Sequence, residues 1–250
     1  MSSPIYKTTA FNLKYTNYSE ADRIYTILSR EFGLLQVIAK GIRKSKSKFS
    51  GRMDLLHCNN LILRKGKNLD IVIGCDTYKF FPGLTQDYDR ITSAFYLSEL
   101  VHKFSNKGES DPNLFDLLVN TLEVLSETYK PQVYILWFEI KLLINLGYIA
   151  NYSRCVCCQD YINLYPQDKL GFDLNSGSII CKKCCLHLKS YKQINYEEYT
   201  LLNDIRNLSL KDIENFKLNV SHLKKLQSLI QNYILKISEQ KFKSISLLNV

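Results

Sequence analysis

The stretch GLLQVIAKGIRKSKSKFSGRM, residues 33–53, passes from an apolar strand pattern directly into a dense cluster of cations. Its basic residues from position 40 onward are Lys40, Arg43, Lys44, Lys46, Lys48 and Arg52. No acid lies between Lys40 and Met53. Such a cluster attracts polyanions, and each phosphate that it neutralises releases counterions, so binding should weaken steeply with salt. The stretch predicts contact with a nucleic-acid backbone, and the alternative is a solvated, flexible loop.

The surplus positive charge of the chain is concentrated around this stretch. Residues 1–80 hold 14 Lys+Arg against 6 Asp+Glu, whereas residues 81–250 hold 19 against 18. Lys65 and Lys67 lie in a hairpin-like connection and extend the predicted cationic surface. A contact made only with phosphates carries no sequence information, so the predicted partner is DNA of any sequence.

Short strand patterns lie on both sides of the basic stretch. They cover residues 5–13, 24–28, 34–39, 55–63 and 69–74, and five of the chain's ten glycines separate them. Five strands in so short a segment favour a small closed barrel, and the five-stranded oligonucleotide-binding (OB) fold is the natural candidate. A small barrel without a ligand would show the same strand count.

Aromatic residues near the basic stretch allow two interpretations. Tyr25, Phe32 and Phe49 could stack on the bases of a single strand, or they could fill the interior of the barrel.

From residue 81 onward the apolar period lengthens from about 2 to about 3.6 residues, which is typical of helices. Helical stripes lie at 91–104, 114–125, 134–143, 199–208 and 223–237. Asp111 is the predicted N-cap of the second helix, with Pro112 in its first turn. Pro131 is predicted to begin the third helix, and Gly147 to end it.

A cysteine-rich insertion, residues 153–189, interrupts the helical pattern. Cys155 with Cys158 and Cys181 with Cys184 form two Cys-x2-Cys knuckles that are 22 residues apart. This spacing lets a tight turn direct both sulfurs at one ion, and four thiolates suit one tetrahedral Zn²⁺ per chain. A four-cysteine site has no open position for an activated water, so the predicted role is structural.

Other residues beside the knuckles leave the ligand set open. His187 could replace a thiolate, and Cys157 and Cys185 are further thiols next to the predicted ligands. An iron–sulfur cluster or a redox dithiol is the alternative to zinc. Cys58 and Cys75 lie in strand patterns and are predicted to be small core residues.

Five segments carry a family resemblance. They are YSEADRI at 18–24, REFG at 30–33, AKGIRKSKSKF at 39–49, YLSEL at 96–100 and FEIKLLINLGY at 138–148. In this order and spacing they resemble the RecO family of bacterial recombination mediators, and the resemblance runs nearly from end to end.

The resemblance implies an α+β multidomain fold. An N-terminal five-stranded OB barrel (1–80) would precede an all-helical domain (81–250) that carries the zinc module (153–189). The family binds single- and double-stranded DNA without strict sequence choice and anneals complementary strands coated by single-stranded DNA-binding protein (SSB). It also helps to load RecA together with RecR, and it captures the C-terminal tail of SSB on the helical domain.

The sequence gives no sign of catalytic machinery. It contains no P-loop, dinucleotide-binding turn or nucleophile elbow, and its histidines are isolated from one another: His57, His102, His187 and His222. We therefore predict a binding protein that is not an enzyme. The alternatives are a magnesium-dependent nuclease and a zinc-ribbon adaptor. The lack of a signal-peptide pattern, with eight cysteines, predicts a cytoplasmic protein on the nucleoid.

Overall fold

A closed barrel is built by the first five strands. The structure is a computed structural model that describes residues 4–49, 51–149, 152–188, 190–216 and 219–248. The barrel strands are β1 (Ile5–Tyr18), β2 (Asp22–Ser29), β3 (Gly33–Ala39), β4 (Cys58–Arg64) and β5 (Asp70–Lys79). They are neighbours in the order β1, β2, β3, β5, β4, and β4 pairs with β1 to close the barrel. The predicted five-stranded OB barrel is confirmed.

The length of β1 allows the barrel to close. Its residues 10–18 pair with β2, and its residues 5–11 pair with β4. β3 and β5 run parallel, with Val37 opposite Asp70, whereas the other neighbouring strands are antiparallel. Closure satisfies the backbone groups that an open sheet would expose at its edges.

The barrel interior is filled by alternate residues of its strands. Tyr25, Ile27, Val37, Leu61 and Leu63 are among the buried side chains of this core. Cys58 and Cys75 are also buried, as predicted. Burial disfavours a thiolate, and it raises the pKa of Cys58 to about 12 and that of Cys75 to about 11.

Two helices follow the barrel, α1 (Tyr88–Phe104) and α2 (Pro112–Leu125). The carboxylate of Asp111 accepts a hydrogen bond from the Leu114 amide at 2.9 Å, which confirms the predicted N-cap of α2. α2 contacts the barrel through two ion pairs, Arg30 with Asp116 at 2.8 Å and Lys79 with Glu123 at 2.7 Å.

The C-terminal part combines helices with a small sheet. Its elements are α3 (Pro131–Asn145), β6 (Lys169–Asp173), β7 (Ser178–Ile180), α4 (Lys182–Cys185), β8 (Lys192–Asn195), α5 (Tyr196–Asn207) and α6 (Val220–Ser238). The strands form an antiparallel sheet in the order β7, β6, β8. Pro131 begins α3 as predicted, and Gly147 follows its last turn with a φ of +77°, a left-handed conformation that glycine adopts without strain.

The chain packs into two compact units. One contains the barrel, α1 and α2 up to Tyr129 together with Ser244–Leu248, and the other contains Lys130–Lys243. The division into domains at 1–80 and 81–250 stays a prediction, and residue 189, where the cysteine-rich insertion was predicted to end, lies outside the described residues. Within the described ranges no helix combines the length and the apolar character that a membrane crossing requires.

Candidate nucleic-acid interface and metal site

The basic loop, residues 40–52, connects β3 to β4 and is anchored in the barrel. Three apolar side chains from this connection are buried in the barrel core: Ile42, Phe49 and Met53. At its start, the Gly41 amide donates a hydrogen bond to Asp22 Oδ1 at 2.7 Å, and Gly41 has a φ of +67°. The described part of the loop is therefore held against the barrel, and all of its cations except Lys40 lie between the buried anchors in sequence.

The predicted DNA-binding cations of the loop are all exposed: Lys40, Arg43, Lys44, Lys46, Lys48 and Arg52. One of them forms an ion pair among the described residues, Arg52 with Asp76 at 3.6 Å. The two side chains of this pair are 54 % and 82 % exposed. Because so exposed a pair contributes little free energy, it leaves the guanidinium available to another anion.

Three cations follow the course of β5. Lys65 Nζ lies 3.4 Å from Asp70 Oδ2 at the beginning of the strand. Lys48 Nζ donates to the carbonyl of Ile73 at 3.4 Å, and Arg52 Nη1 donates to the carbonyl of Cys75 at 3.1 Å. At about 3.3 Å per residue, these contacts spread the cations over roughly 17 to 20 Å. We call Lys65, Lys48 and Arg52 the β5 cation row.

The turn between β4 and β5 carries the other two predicted DNA contacts, Lys65 and Lys67, and both are exposed. The Lys65 charge is partly balanced, because its ammonium lies near the Asp70 carboxylate and 5.3 Å from the centroid of the Tyr6 ring. The role of either lysine in DNA binding stays a prediction.

The aromatic residues of the barrel divide into buried and exposed sets. Tyr25 and Phe49 are buried in the core, so they fill the barrel and do not offer a face to a base. Phe32 is partly exposed, and its ring meets that of Tyr6 edge-on at 5.0 Å. Sequence reasoning missed Phe80, which is 55 % exposed just after β5. Its only sequence signal is its place at the end of the last barrel strand.

The two cysteine knuckles come together. The Sγ atoms of Cys155, Cys158, Cys181 and Cys184 all lie within 4.8 Å of one another. The turn that follows Arg154 carries the first pair, and the end of β7 with α4 carries the second. Cys158 Sγ and Cys181 Sγ are 3.8 Å apart. Zinc–sulfur bonds of about 2.3 Å at tetrahedral angles require a sulfur–sulfur distance of about 3.8 Å, so the cluster could hold a metal ion of that size.

Backbone amides support a negative charge on this cluster. The amide nitrogens of Cys157 and Cys181 donate to Cys155 Sγ at 3.4 and 3.3 Å. Burial raises the pKa of Cys155, but these amides and that of Cys158 outweigh burial and lower the pKa to about 6. The hydrogen bond with Cys181 raises the pKa of Cys184, as expected where neighbouring thiols cannot all ionise together. A divalent cation would offset that repulsion, so the donor set fits a metal.

The neighbouring donors are not part of the cluster. Cys185 Sγ contacts the carbonyl of Ile180 at 3.7 Å. Cys157 and His187 are exposed, and neither joins the cluster found among the described residues.

A further group of cations lies around a groove of about 700 Å³ in the C-terminal unit. β8 and α6 line it, and Lys192, Lys224 and Lys225 are among its residues. Lys225 Nζ lies 3.6 Å from Glu198 Oε1. The sequence singled out Lys224 and Lys225, with Lys241 and Lys243, as basic residues that could bind the SSB tail or lie on a solvated helix face. It did not connect Lys192 with them, because Lys192 is distant in the chain and β8 has a single buried residue, Ile194, to mark it as a strand.

These features define a class of protein in which an OB barrel with an exposed basic loop precedes a helical part that carries a four-cysteine cluster. A family model described as Recombination protein O N terminal matches residues 1–81, and one described as Recombination protein O C terminal matches residues 85–245. The chain belongs to the RecO family.

Curated relatives match over almost the whole chain. A DNA repair protein RecO from Dehalococcoides mccartyi (strain CBDB1) is 32 % identical over 244 residues, which cover 96 % of this chain and 93 % of the relative. The DNA repair protein RecO of Acetivibrio thermocellus is 30 % identical over 229 residues, covering 91 % and 90 % of the two chains. That of Desulforamulus reducens is 28 % identical over 240 residues, covering 96 % and 92 %. Family membership therefore rests on both halves of the chain.

Proposed function

We propose that this chain is a DNA-binding recombination mediator in DNA repair that binds single- and double-stranded DNA irrespective of sequence. The observation that carries the proposal is the exposed basic loop, which the barrel core anchors beside β5. Ammonium and guanidinium groups at such positions contact phosphates and leave the bases unread. Lys40, Arg43, Lys44 and Lys46 supply further charge, and Lys67 adds to it at the β4–β5 turn.

The chain brings complementary strands together without acting as an enzyme. Two single strands repel each other because both are polyanions, and a cationic surface that binds both lowers this repulsion. Base pairing then supplies the free energy of annealing, and no covalent bond changes. Following the family resemblance, the strands are coated by SSB, RecR cooperates in loading RecA, and the helical part binds the C-terminal tail of SSB. The setting is the cytoplasm, at the nucleoid.

The four-cysteine cluster holds one structural Zn²⁺ per chain. Cys155, Cys158, Cys181 and Cys184 supply a complete tetrahedral ligand set, which leaves no coordination position for a substrate or an activated water. The amide hydrogen bonds to Cys155 support this assignment, because they favour a thiolate over a thiol.

Removal of loop charge tests DNA binding directly. Replacement of Lys44, Lys46 and Lys48 with alanine should weaken binding to a 30-nucleotide oligomer and flatten the dependence of log affinity on log salt. We expect the slope to fall in magnitude by about 0.7 to 0.9 for each phosphate contact that is lost. Fluorescence anisotropy at four or more salt concentrations measures both quantities.

A charge-matched control separates local contact from net charge. Lys169, Lys211 and Lys224 are exposed and lie outside the barrel, and their replacement with alanine removes the same charge. This control should keep the slope of the unmodified protein. Equal slopes for the two triple variants and the unmodified protein would show that the loop does not contact phosphates.

A further inference from the structure

Phe80 lies at the end of the strand that carries the β5 cation row. It follows the last residue of β5, and the residue is 55 % exposed although its side chain is strongly apolar. The next residue, Phe81, is only 4 % exposed and belongs to the core. A single exposed apolar residue is normal on a protein surface, so exposure alone does not indicate a partner. What makes this ring a candidate ligand contact is its place at the end of the strand that carries the β5 cation row.

The ring of Phe80 is held in place by a histidine. The imidazole of His57 meets it edge-on, with ring centroids 4.9 Å apart and planes at 70°. His57 Nδ1 lies 3.2 Å from the carbonyl oxygen of Arg52, within hydrogen-bonding distance. This carbonyl also accepts a hydrogen bond from Asn59 at 3.0 Å, which fixes its position. In a T-shaped pair one partner ring covers at most one face of the other, so this contact leaves at least one face of Phe80 uncovered by His57.

The same contacts connect the ring to a predicted phosphate-binding residue. The backbone of Arg52 holds His57, while its guanidinium lies on β5 near Cys75 and Asp76. The guanidinium and the ring therefore lie along the same strand, four to five residues apart in β5 and just after it. We infer that Phe80, positioned by His57, stacks on an unpaired base of a DNA strand whose phosphates follow the β5 cation row.

This inference rests on the proposed function and adds a preference to it. Cations bind the backbone of single and double strands alike, whereas a duplex keeps both faces of its bases inside the stack. An aromatic face can therefore stack only on a base that is unpaired. The ring gives the interface affinity for single strands that does not depend on salt, since stacking releases no counterions.

The test compares two variants on three ligands of equal charge. Phe80→Leu removes the aromatic face but keeps an apolar side chain, and Phe80→Tyr keeps the face. The ligands are an oligothymidylate, a chain of the same length with abasic sugars, and a duplex with the same number of phosphates. Phe80→Leu should bind the oligothymidylate about tenfold more weakly, within the roughly 5- to 150-fold range of one stacked base. Phe80→Tyr should bind like the unmodified protein.

The abasic chain and the salt dependence distinguish stacking from a general defect. Phe80→Leu should bind the abasic chain and the duplex with unchanged affinity, and its salt slope on oligothymidylate should also be unchanged. A matched control is Tyr129→Leu, because Tyr129 is 93 % exposed in the same compact unit and contacts Arg90, which is not a member of the β5 cation row. This control should bind every ligand as the unmodified protein does.

Two results would overturn the inference. Undiminished binding of oligothymidylate by Phe80→Leu would show that the ring contacts no base, and equal losses on all three ligands would show a structural role. If DNA binding with a normal salt slope persists in either case, the proposed function stands without the stacking contact. If the unmodified protein binds none of the ligands, the proposed function itself fails and the inference fails with it.

Discussion

Gly177 shows how one residue holds the cysteine-rich segment on α6. It has a φ of +63°, and a Cβ atom at this position would lie 2.5 Å from the phenol end of Tyr233. The Tyr233 ring packs edge-on against Phe172 of β6, with ring centroids 5.8 Å apart, and its hydroxyl donates to the carbonyl of Tyr148 at 2.9 Å. The ring therefore has little freedom to move away, and only hydrogen fits at position 177.

Substitution at this position should be costly for two separable reasons. Gly177→Ala brings a left-handed strain of about 1 to 2 kcal/mol and an overpacking cost of about 1 to 3 kcal/mol. Gly147→Ala is the matched control, because Gly147 has a φ of +77° with no atom within 4 Å of its Cβ position. Urea unfolding should show a larger decrease in the free energy of unfolding for Gly177→Ala than for Gly147→Ala. Equal losses would mean that the Tyr233 ring yields at no cost.

Residue-level prediction from sequence succeeds where spacing alone decides the geometry. The two Cys-x2-Cys spacings predicted which four thiols cluster, Cys155 and Cys158 with the second pair. A tight turn between two cysteines directs both sulfurs to the same side, so the spacing is enough to identify them. Exposure of aromatic residues could not be predicted in this way. Tyr25 lies inside β2 and is buried in the barrel, whereas Phe80 follows the end of β5 and is exposed. Which side chains the closed barrel covers depends on pairing between distant strands and on where each strand ends.

At the scale of elements, the cysteine-rich segment has two sources of stability. Its sheet buries Leu170, Phe172 and Ile179, so apolar packing holds β6 and β7 in place. The knuckles lie beyond this sheet, and the α4 helix that bears Cys184 has no buried residue. We therefore expect the metal to stabilise the knuckles and α4 more than the sheet.

Loss of a ligand should produce a local defect with a clear metal signature. Elemental analysis of protein purified without added metal should find about one zinc per chain, and Cys155→Ser should abolish it. In Cys155→Ser we expect the free energy of unfolding to fall by at least about 3 kcal/mol, which lowers Tm by roughly 6 to 12 °C. The amides of the barrel and of α6 should remain protected from hydrogen exchange. Cys157→Ser is the control, because Cys157 is outside the cluster, and it should retain zinc. Stable, zinc-free Cys155→Ser together with zinc-free unmodified protein would contradict the assignment.

The limits of the elements were less predictable than their existence. All five barrel strands were expected, but β1 extends to Tyr18 and β5 to Lys79, beyond the predicted ends at 13 and 74. The extra residues are mostly exposed, so they lack the apolar alternation that identifies a strand. In β5 a shift in register leaves Tyr78 without an opposite residue in β4, a bulge that no local pattern indicates.

At the scale of the whole molecule, the placement of charge matters more than its sum. The count over residues 81–250 is nearly neutral, but it combines a net charge of −5 for residues 81–129 with +6 for residues 130–250. Counting all residues after position 80 together therefore hides a second basic region, residues 130–250, behind the acidic residues of 81–129. Charges on a surface act on a polyanion over about 8 to 10 Å at physiological salt, so local density decides where DNA binds.

An annealing assay tests most strictly whether the local density of positive charge on the basic loop, and not the net charge of the chain, accelerates strand pairing. The loop variant (Lys44, Lys46 and Lys48 to alanine) and the control variant (Lys169, Lys211 and Lys224 to alanine) each lower the formal net charge from +9 to +6. We expect the unmodified protein and the control to accelerate pairing of complementary 30-nucleotide strands, and the loop variant to lose most of this acceleration. Fluorescence quenching between end labels follows the rate, and a gel run with Mg²⁺ should show intact strands. Equal rates for both variants would assign annealing to net charge, and shortened strands would indicate a nuclease.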